Sequence, residues 1–92
     1  MNNMKVSILV PIYNVEKFFS RCLESLFSQT YLDIEYVFVN DCTPDNSMTI
    51  LSDMLQKYPS RATMVKIINN PENQGIAIVR NTLLENATGE YI

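Results

Sequence analysis

Tyr36-Val-Phe-Val39 is apolar at every position and stops at two adjacent polar side chains, Asn40 and Asp41. So short a run, apolar towards both faces, reads as a strand covered on both sides, which puts it in the middle of a parallel sheet. Sheets of that kind bind ligands outside the carboxyl ends of their strands. Asn40 and Asp41 stand at that end, and the turn Cys42-Thr43-Pro44 leads from them to Asp45 and a helical pattern. Asp41 is therefore the first candidate for a binding role.

The rest of the chain repeats this arrangement. Met1 to Met4 read as a loose end, and Val6-Ser-Ile-Leu-Val10 as a first strand. Pro11 cannot donate to a ladder, so it ends that strand or lies at its margin. Asn14 suits a helix N-cap and Glu16 the positive end of the helix dipole. The first helix runs to about Gln29, with Phe19, Cys22, Leu23, Leu26 and Phe27 as its apolar stripe. A second strand starts at Tyr36. In the second helix Pro44 suits the first position, capped by Thr43 or by Asp45. Ile50, Leu51, Met54, Leu55 and Tyr58 follow at helical spacing, and Pro59 forces a stop. Val65-Lys-Ile-Ile68 is a third strand whose Lys66 points to a sheet edge. Asn69 to Gly75 is a loop dense in turn residues, Ile76 to Asn86 a third helix, and Glu90-Tyr-Ile92 the start of a fourth strand. The alternation predicts an α/β fold with a mainly parallel sheet and helices on its faces. Ninety-two residues suffice for one small domain, and a chain that stops where a strand starts reads as the N-terminal part of a larger one.

Composition removes several classes of function. Seven Lys and Arg against ten Asp and Glu give a net charge of -3 without a basic cluster, which argues against nucleic acid as a partner. The chain has no His and only two cysteines, Cys22 and Cys42, without CxxC spacing, so a zinc site is not expected. Few cysteines suit a reducing, cytosolic compartment. The apolar run from Val6 to Tyr13 is too short to span a membrane and lacks a secretory cleavage signal. With Gly75 and Gly89 the only glycines, there is neither a GxGxxG fingerprint nor a phosphate-binding GxxxxGK[ST] loop. Without His, acid–base chemistry falls to carboxylates or to groups outside this chain.

Pro11 to Asn14, Asn40 to Asp45, and Asn69 to Gly75 each follow a strand, and the fold brings all three to one rim. Such a rim is either a set of polar turns or a ligand site. Asp41 there accepts a ring N–H or a ribose hydroxyl; uracil offers an N–H at N3 and cytosine does not. The alternative is a solvated turn residue capping the next helix. On a helical wheel Arg80 falls inside the arc of Ile76, Val79, Leu83, Leu84 and Ala87. A guanidinium buried there needs an anion, either Asp41 or the phosphates of a ligand; otherwise its stem lies along the core with its head in water. Tyr13 stacks on a base or covers the sheet end. Cys42, with no base beside it in sequence, reads as a turn residue.

These residues resemble family 2 glycosyltransferases of the GT-A fold. The match consists of Val6 to Glu16, Cys22 to Leu26 with Gln29-Thr-Tyr31, Val39 to Ser47, Asn73-Gln-Gly75, Arg80-Asn81 and Gly89 to Ile92, in order, over nearly the whole chain. The resemblance implies a Rossmann-like three-layer α/β/α fold, of which residues 1–92 are the N-terminal donor-nucleotide-binding part. It implies transfer of a sugar from a nucleotide-sugar donor, a UDP-sugar above all, to a saccharide or lipid-linked acceptor in cell-surface polysaccharide synthesis. The place of action would be the cytoplasm or the inner face of the membrane. Pro11, Tyr13, Asn14, Glu16 and Asp41 would hold base and ribose, and Arg80 would support the Asp41 region or the diphosphate. The divalent metal (Mg or Mn), the catalytic base and the acceptor site would lie beyond Ile92. The fragment alone would be inactive and would self-associate along an open edge of the first strand. Two departures bear on the donor: Asn40 stands for the first residue of the usual acidic pair, and Cys42-Thr-Pro for Gly-Ser-Thr. The competing class is a non-catalytic, flavodoxin-like nucleotide-binding or regulatory module. A phosphate-receiving module wants acidic residues after its first and third strands, where this chain has Pro11 and Asn69-Asn70.

Overall fold

The computed structural model describes residues 5–91; Met1 to Met4 and Ile92, expected as a loose end and as part of the fourth strand, lie outside them. The elements are β1 (Val6–Ile12), α1 (Glu16–Phe27), β2 (Ile34–Asn40), α2 (Ser47–Lys57), α3 (Pro59–Ala62), β3 (Val65–Asn69), α4 (Ile76–Asn86) and β4 (Glu90–Tyr91). The strands form one parallel sheet in the order β3-β2-β1-β4. Lys66 does stand on an edge strand, and β2 is central, as its unbroken apolar run requires.

Strand periodicity divides the core in two. Ile12, Ile34, Tyr36 and Phe38 face α1 and α2, where they meet Phe19, Leu23, Phe27, Leu51 and Met54. Val37 and Val39 face the other way, onto Val79 and Leu83 of α4. After β3 the chain returns past β2 and β1 to place β4, so a right-handed crossover must carry α4 over the opposite face. That is the expected three-layer α/β/α arrangement. Phe27 sets its ring edge-on to Tyr36 at 5.0 Å, fixing the end of α1 against the sheet. Among the described residues no helix is long and apolar enough to cross a membrane.

Several boundaries differ from expectation. β1 continues through Pro11 to Ile12. The N–H of Val6 and the carbonyl of Ile12 both bond towards β2, so the odd-numbered residues turn their backbone groups to the opposite side. Pro11 therefore has its missing N–H on the side that β4 reaches only at Val6 and Ser7. α1 ends at Phe27 rather than Gln29, and Pro59 both follows the end of α2 and opens the four-residue α3. α2 begins at Ser47, so Pro44 is not its first residue.

At the opposite end of the sheet from the rim, Ser7 is fully buried and donates to Glu35 Oε2 at 2.6 Å. The same oxygen accepts the N–H and hydroxyl of Thr88, while Gly89 N–H donates to Ser7 Oγ. This cluster fixes the turn from α4 into β4.

Candidate functional site

The three polar clusters do converge. Asn40 Nδ2 donates to Asn69 Oδ1 at 3.0 Å, and Asn40 Oδ1 accepts the N–H of Thr43 at 2.9 Å. One amide thus ties the ends of β2 and β3 and the turn after β2, using a donor and an acceptor together, which a carboxylate could not supply. Behind these links lies a hollow of about 420 Å3, within the size range of small-molecule sites. Pro11, Ile12, Tyr13 and Val15 form one wall, Asn73, Gly75, Ile76 and Val79 the other, and Asp41 the polar group between them.

Asp41 is 4% exposed, so it is not the solvated turn residue of the alternative reading, nor does it cap α2. Its Oδ1 accepts Asn70 Nδ2 at 2.9 Å and Gln74 N–H at 2.8 Å, and its Oδ2 accepts Gly75 N–H at 3.0 Å. The carboxylate therefore satisfies the approach to α4. Gly75 has φ 89, a left-handed conformation that costs a glycine nothing and turns the two amides onto Asp41. Desolvation raises the Asp41 pKa; the bonds from Asn70, Gln74 and Gly75 outweigh it and hold the group below the ordinary aspartate value. Asp41 is consequently an obligate acceptor at neutral pH. Of about four acceptor positions on a carboxylate, the three donors above leave one on Oδ2 beside the hollow.

The other expected site residues divide. Pro11 and Tyr13 line the hollow, and Tyr13 is 46% exposed. Asn14 and Glu16 act through their backbones and are not among the lining residues. Asn14 is not the cap of α1: Val15 precedes the helix, without a capping side-chain bond. Asn14 has φ 55 instead, a left-handed turn that asparagine tolerates better than most residues. The first-turn amide of Glu16 is satisfied from across the rim, by Asp45 Oδ2 at 3.1 Å. Asp45 also takes the N–H of Ser47, but the residue that precedes α2 is Asn46, without a capping side-chain bond, so neither Thr43 nor Asp45 is its N-cap.

Arg80 is the clear correction: it is exposed and makes no pair with Asp41, whose donors come from the Asn70 to Gly75 loop. Only Val79 and Leu83 of the apolar arc are buried, because α4 packs chiefly on β1 and β2 and leaves the flanks of its stripe open. Arg80 lines a second groove with Leu9, Pro11, Ile76, Leu83 and Leu84. Pro11 and Ile76 border both hollows, so the two adjoin. Sequence reasoning did not single out Val15, Asn73, Gly75, Ile76 or Val79 as lining residues. The glycine in a loop of turn residues was the available signal for the Asn73–Gly75 wall. Among the described residues no group of three or more His, Cys, Asp and Glu is placed to hold a metal ion.

A parallel α/β sheet with a buried carboxylate in a ligand-sized hollow at its carboxyl edge defines a class: open α/β proteins that bind ligands at the strand ends. Within it, residues 7–92 match the model of Glycosyl transferase family 2, and the chain belongs to that family. It is 45% identical over 87 residues to the uncharacterized glycosyltransferase EpsJ of Bacillus subtilis, covering 95% of this chain and 24% of that protein. It is 37% identical over 91 residues to the poly(ribitol-phosphate) beta-glucosyltransferase of Bacillus spizizenii, covering 97% of this chain and 14% of that one. S. aureus TarS (residues 1–349) in complex with UDP-GlcNAc superimposes with a TM-score of 0.80 at 32% identity, covering 97% of this chain and 26% of TarS. The chain thus spans between 14% and 26% of the length of these chains.

Proposed function

We propose that these residues form the nucleoside end of the donor site of a sugar transferase that uses a nucleoside-diphosphate sugar, with uracil as the favoured base. The observation that carries this is the buried Asp41, which lines the hollow with three donors fixing its carboxylate and one acceptor position on Oδ2 left over. An acceptor held rigidly charged favours the N3–H of uracil and opposes the N3 lone pair of cytosine. Tyr13 supplies a face on which the base stacks. Pro11 borders the first groove and the second, where the exposed Arg80 guanidinium suits a diphosphate. The resemblance to TarS, whose structure holds UDP-GlcNAc, supports the same reading.

No step through a metal is assigned to these residues, since none of them is grouped to hold one. The divalent ion, the saccharide or lipid-linked acceptor and the group that activates it belong, in this proposal, to residues beyond these 92. In line with that, the chain is expected to bind donor nucleotide without turning it over. We also propose that it self-associates through the open side of α4, where Ile76 is 64% exposed.

Calorimetric or amide-shift titration of the unmodified chain with UDP, CDP and N3-methyl-UDP tests the donor reading without altering the fold. UDP should bind about tenfold or more tightly than either analogue, the scale of one hydrogen bond to a charged group. Equal affinity for all three would sink it.

A further inference from the structure

Two backbone amides on the loop between β1 and α1 are satisfied from the loop between β2 and α2, and both routes end on Asp45. Asn14 N–H donates to Thr43 Oγ1 at 2.8 Å, and the Thr43 hydroxyl donates in turn to Asp45 Oδ1 at 2.7 Å. Glu16 N–H donates directly to Asp45 Oδ2 at 3.1 Å. On its other side, Asp45 Oδ1 accepts the N–H of Ser47 at 3.1 Å and the Ser47 hydroxyl at 2.7 Å. One carboxylate thus staples the starts of two helices across the rim.

The stapled loop carries one wall of the hollow. Tyr13 and Val15 line it, immediately before and between the two stapled amides of Asn14 and Glu16. Asn14 itself sits at φ 55, in a left-handed turn between the two wall residues. Asp45 does not line the hollow, and Asp41 is held by a separate set of donors, Asn70, Gln74 and Gly75. The wall and the base-reading carboxylate therefore have independent supports.

We infer that Asp45 is a positioning residue: it fixes the Tyr13–Val15 wall at the distance from Asp41 that a pyrimidine needs, while base choice remains with Asp41. The inference rests on the hollow's being the nucleoside site. It differs from a purely local role at the start of α2 in a way one substitution separates. At position 45 an asparagine keeps one carbonyl oxygen for the Ser47 and Thr43 donors. Its amide nitrogen then faces the Glu16 N–H, donor against donor. Asp45→Asn thus preserves the bonds to Ser47 and breaks the staple to Glu16.

The experiment measures UDP and CDP affinity, with amide spectra, for the unmodified chain and for Asp45→Asn. Both affinities should fall together by about tenfold, the scale of one lost charge-assisted hydrogen bond. The UDP-to-CDP ratio should stay unchanged, and the amide resonances of Asn14 and Glu16 should move while those of Gln74 and Gly75 stay. Unaltered affinity in a folded variant would reduce Asp45 to its local bonds with Ser47, and a collapsed ratio would place it in base recognition; either result overturns the proposal. If Asp45→Asn does not fold, Thr43→Val removes the acceptor for Asn14 N–H at constant shape and decides by the same criterion. An unmodified chain that fails to prefer UDP over CDP would overturn the donor reading itself, an outcome distinct from failure of the staple.

Discussion

Two residues beside the hollow, Asn14 and Cys42, have φ of 55 and 58, in the left-handed region that side chains other than Asn and Asp avoid. For Asn14 the conformation is cheap; for Cys42 it is not. Cys42→Gly should raise stability by about 1 kcal/mol and a β-branched Cys42→Val lower it by about 1–2 kcal/mol, read from urea midpoints at constant slope. The sequence showed Cys42 as a departure from the family's glycine and gave no hint that the backbone kept the glycine's conformation. Three hydrogen-bonded carboxylates, Asp41 and Asp45 at the rim and Glu35 at the other end of the sheet, govern acid stability. In Asp45 desolvation raises the pKa, but bonds from the Ser47 and Thr43 side chains and the Ser47 and Glu16 amides hold it at about 2. In Glu35 desolvation is likewise outweighed, by Ser7, Thr88 and Lys66, leaving it below the ordinary glutamate value. Asp41 is lowered as well. Each of these groups binds its proton less readily folded than unfolded, so the stability it contributes is complete above the unfolded value near 4 and lost as pH falls towards the folded one. Urea midpoints should therefore hold from pH 7 to about 5 and fall steeply between about pH 4 and 2. A midpoint independent of pH over that interval would contradict the hydrogen-bond assignments.

At the scale of elements, the strands were legible because a strand covered on both faces is apolar without interruption, and α4 because Gly75 precedes it. What escaped the sequence is whatever depends on a partner far along the chain. Asn14 read as a cap by its type, yet the amide of Glu16 is satisfied by Asp45, 29 residues away. Arg80 fell inside the apolar arc of the wheel, either buried or with its head in water, and the wheel does not say how much of an arc the sheet covers. The buried cation is Arg61 in α3, which no periodicity announced. Its Nε donates to the carbonyl of Phe27 at 3.3 Å and a terminal nitrogen to that of Gln29. These are carbonyls at and beyond the end of α1, where a cation also meets the negative end of the helix dipole. Tyr36 Oη adds a bond to Leu26 O at 2.8 Å. Arg61→Met keeps the stem and deletes the donors, and should cost about 2–3 kcal/mol; Tyr36→Phe should cost about 1 kcal/mol. Equal losses for the two would mean that α1 is held by packing alone. Gly89 has a different constraint: a Cβ there would lie 2.4 Å from the carbonyl oxygen of Lys5. That oxygen accepts Glu90 N–H, so Gly89→Ala should detach β4 from β1 and expose the Glu90 amide to rapid exchange.

For the molecule as a whole, the proposed self-association turns on which surface two copies would share. An open β1 edge was the sequence-based expectation; among the described residues β4 pairs with Val6 and Ser7. The odd-numbered residues of β1 turn their backbone groups to that edge, and along its uncovered length these are Leu9 and Pro11. Pro11 has no N–H, so Leu9 supplies the one donor there, and an edge with a single donor makes a poor template for another strand. The apolar groove beside it is the better surface. Leu9, Pro11, Ile76, Leu83 and Leu84 line it beside Arg80, with Ile76 at 64% and Leu84 at 38% exposure. Apolar side chains on the outside of α4 gain by covering one another, at about 25 cal/mol per Å2. Association by this route is non-directional and is opposed by a second cation beside Arg80, whereas strand pairing would be indifferent to α4. Light scattering across a concentration series should therefore show self-association of the unmodified chain and a return towards monomer for Leu84→Lys. The exposed position of Leu84 on α4 leaves the buried Val79 and Leu83 in place. Association undiminished in Leu84→Lys would return the β1 edge to the leading place, and a monomer at every concentration would remove both.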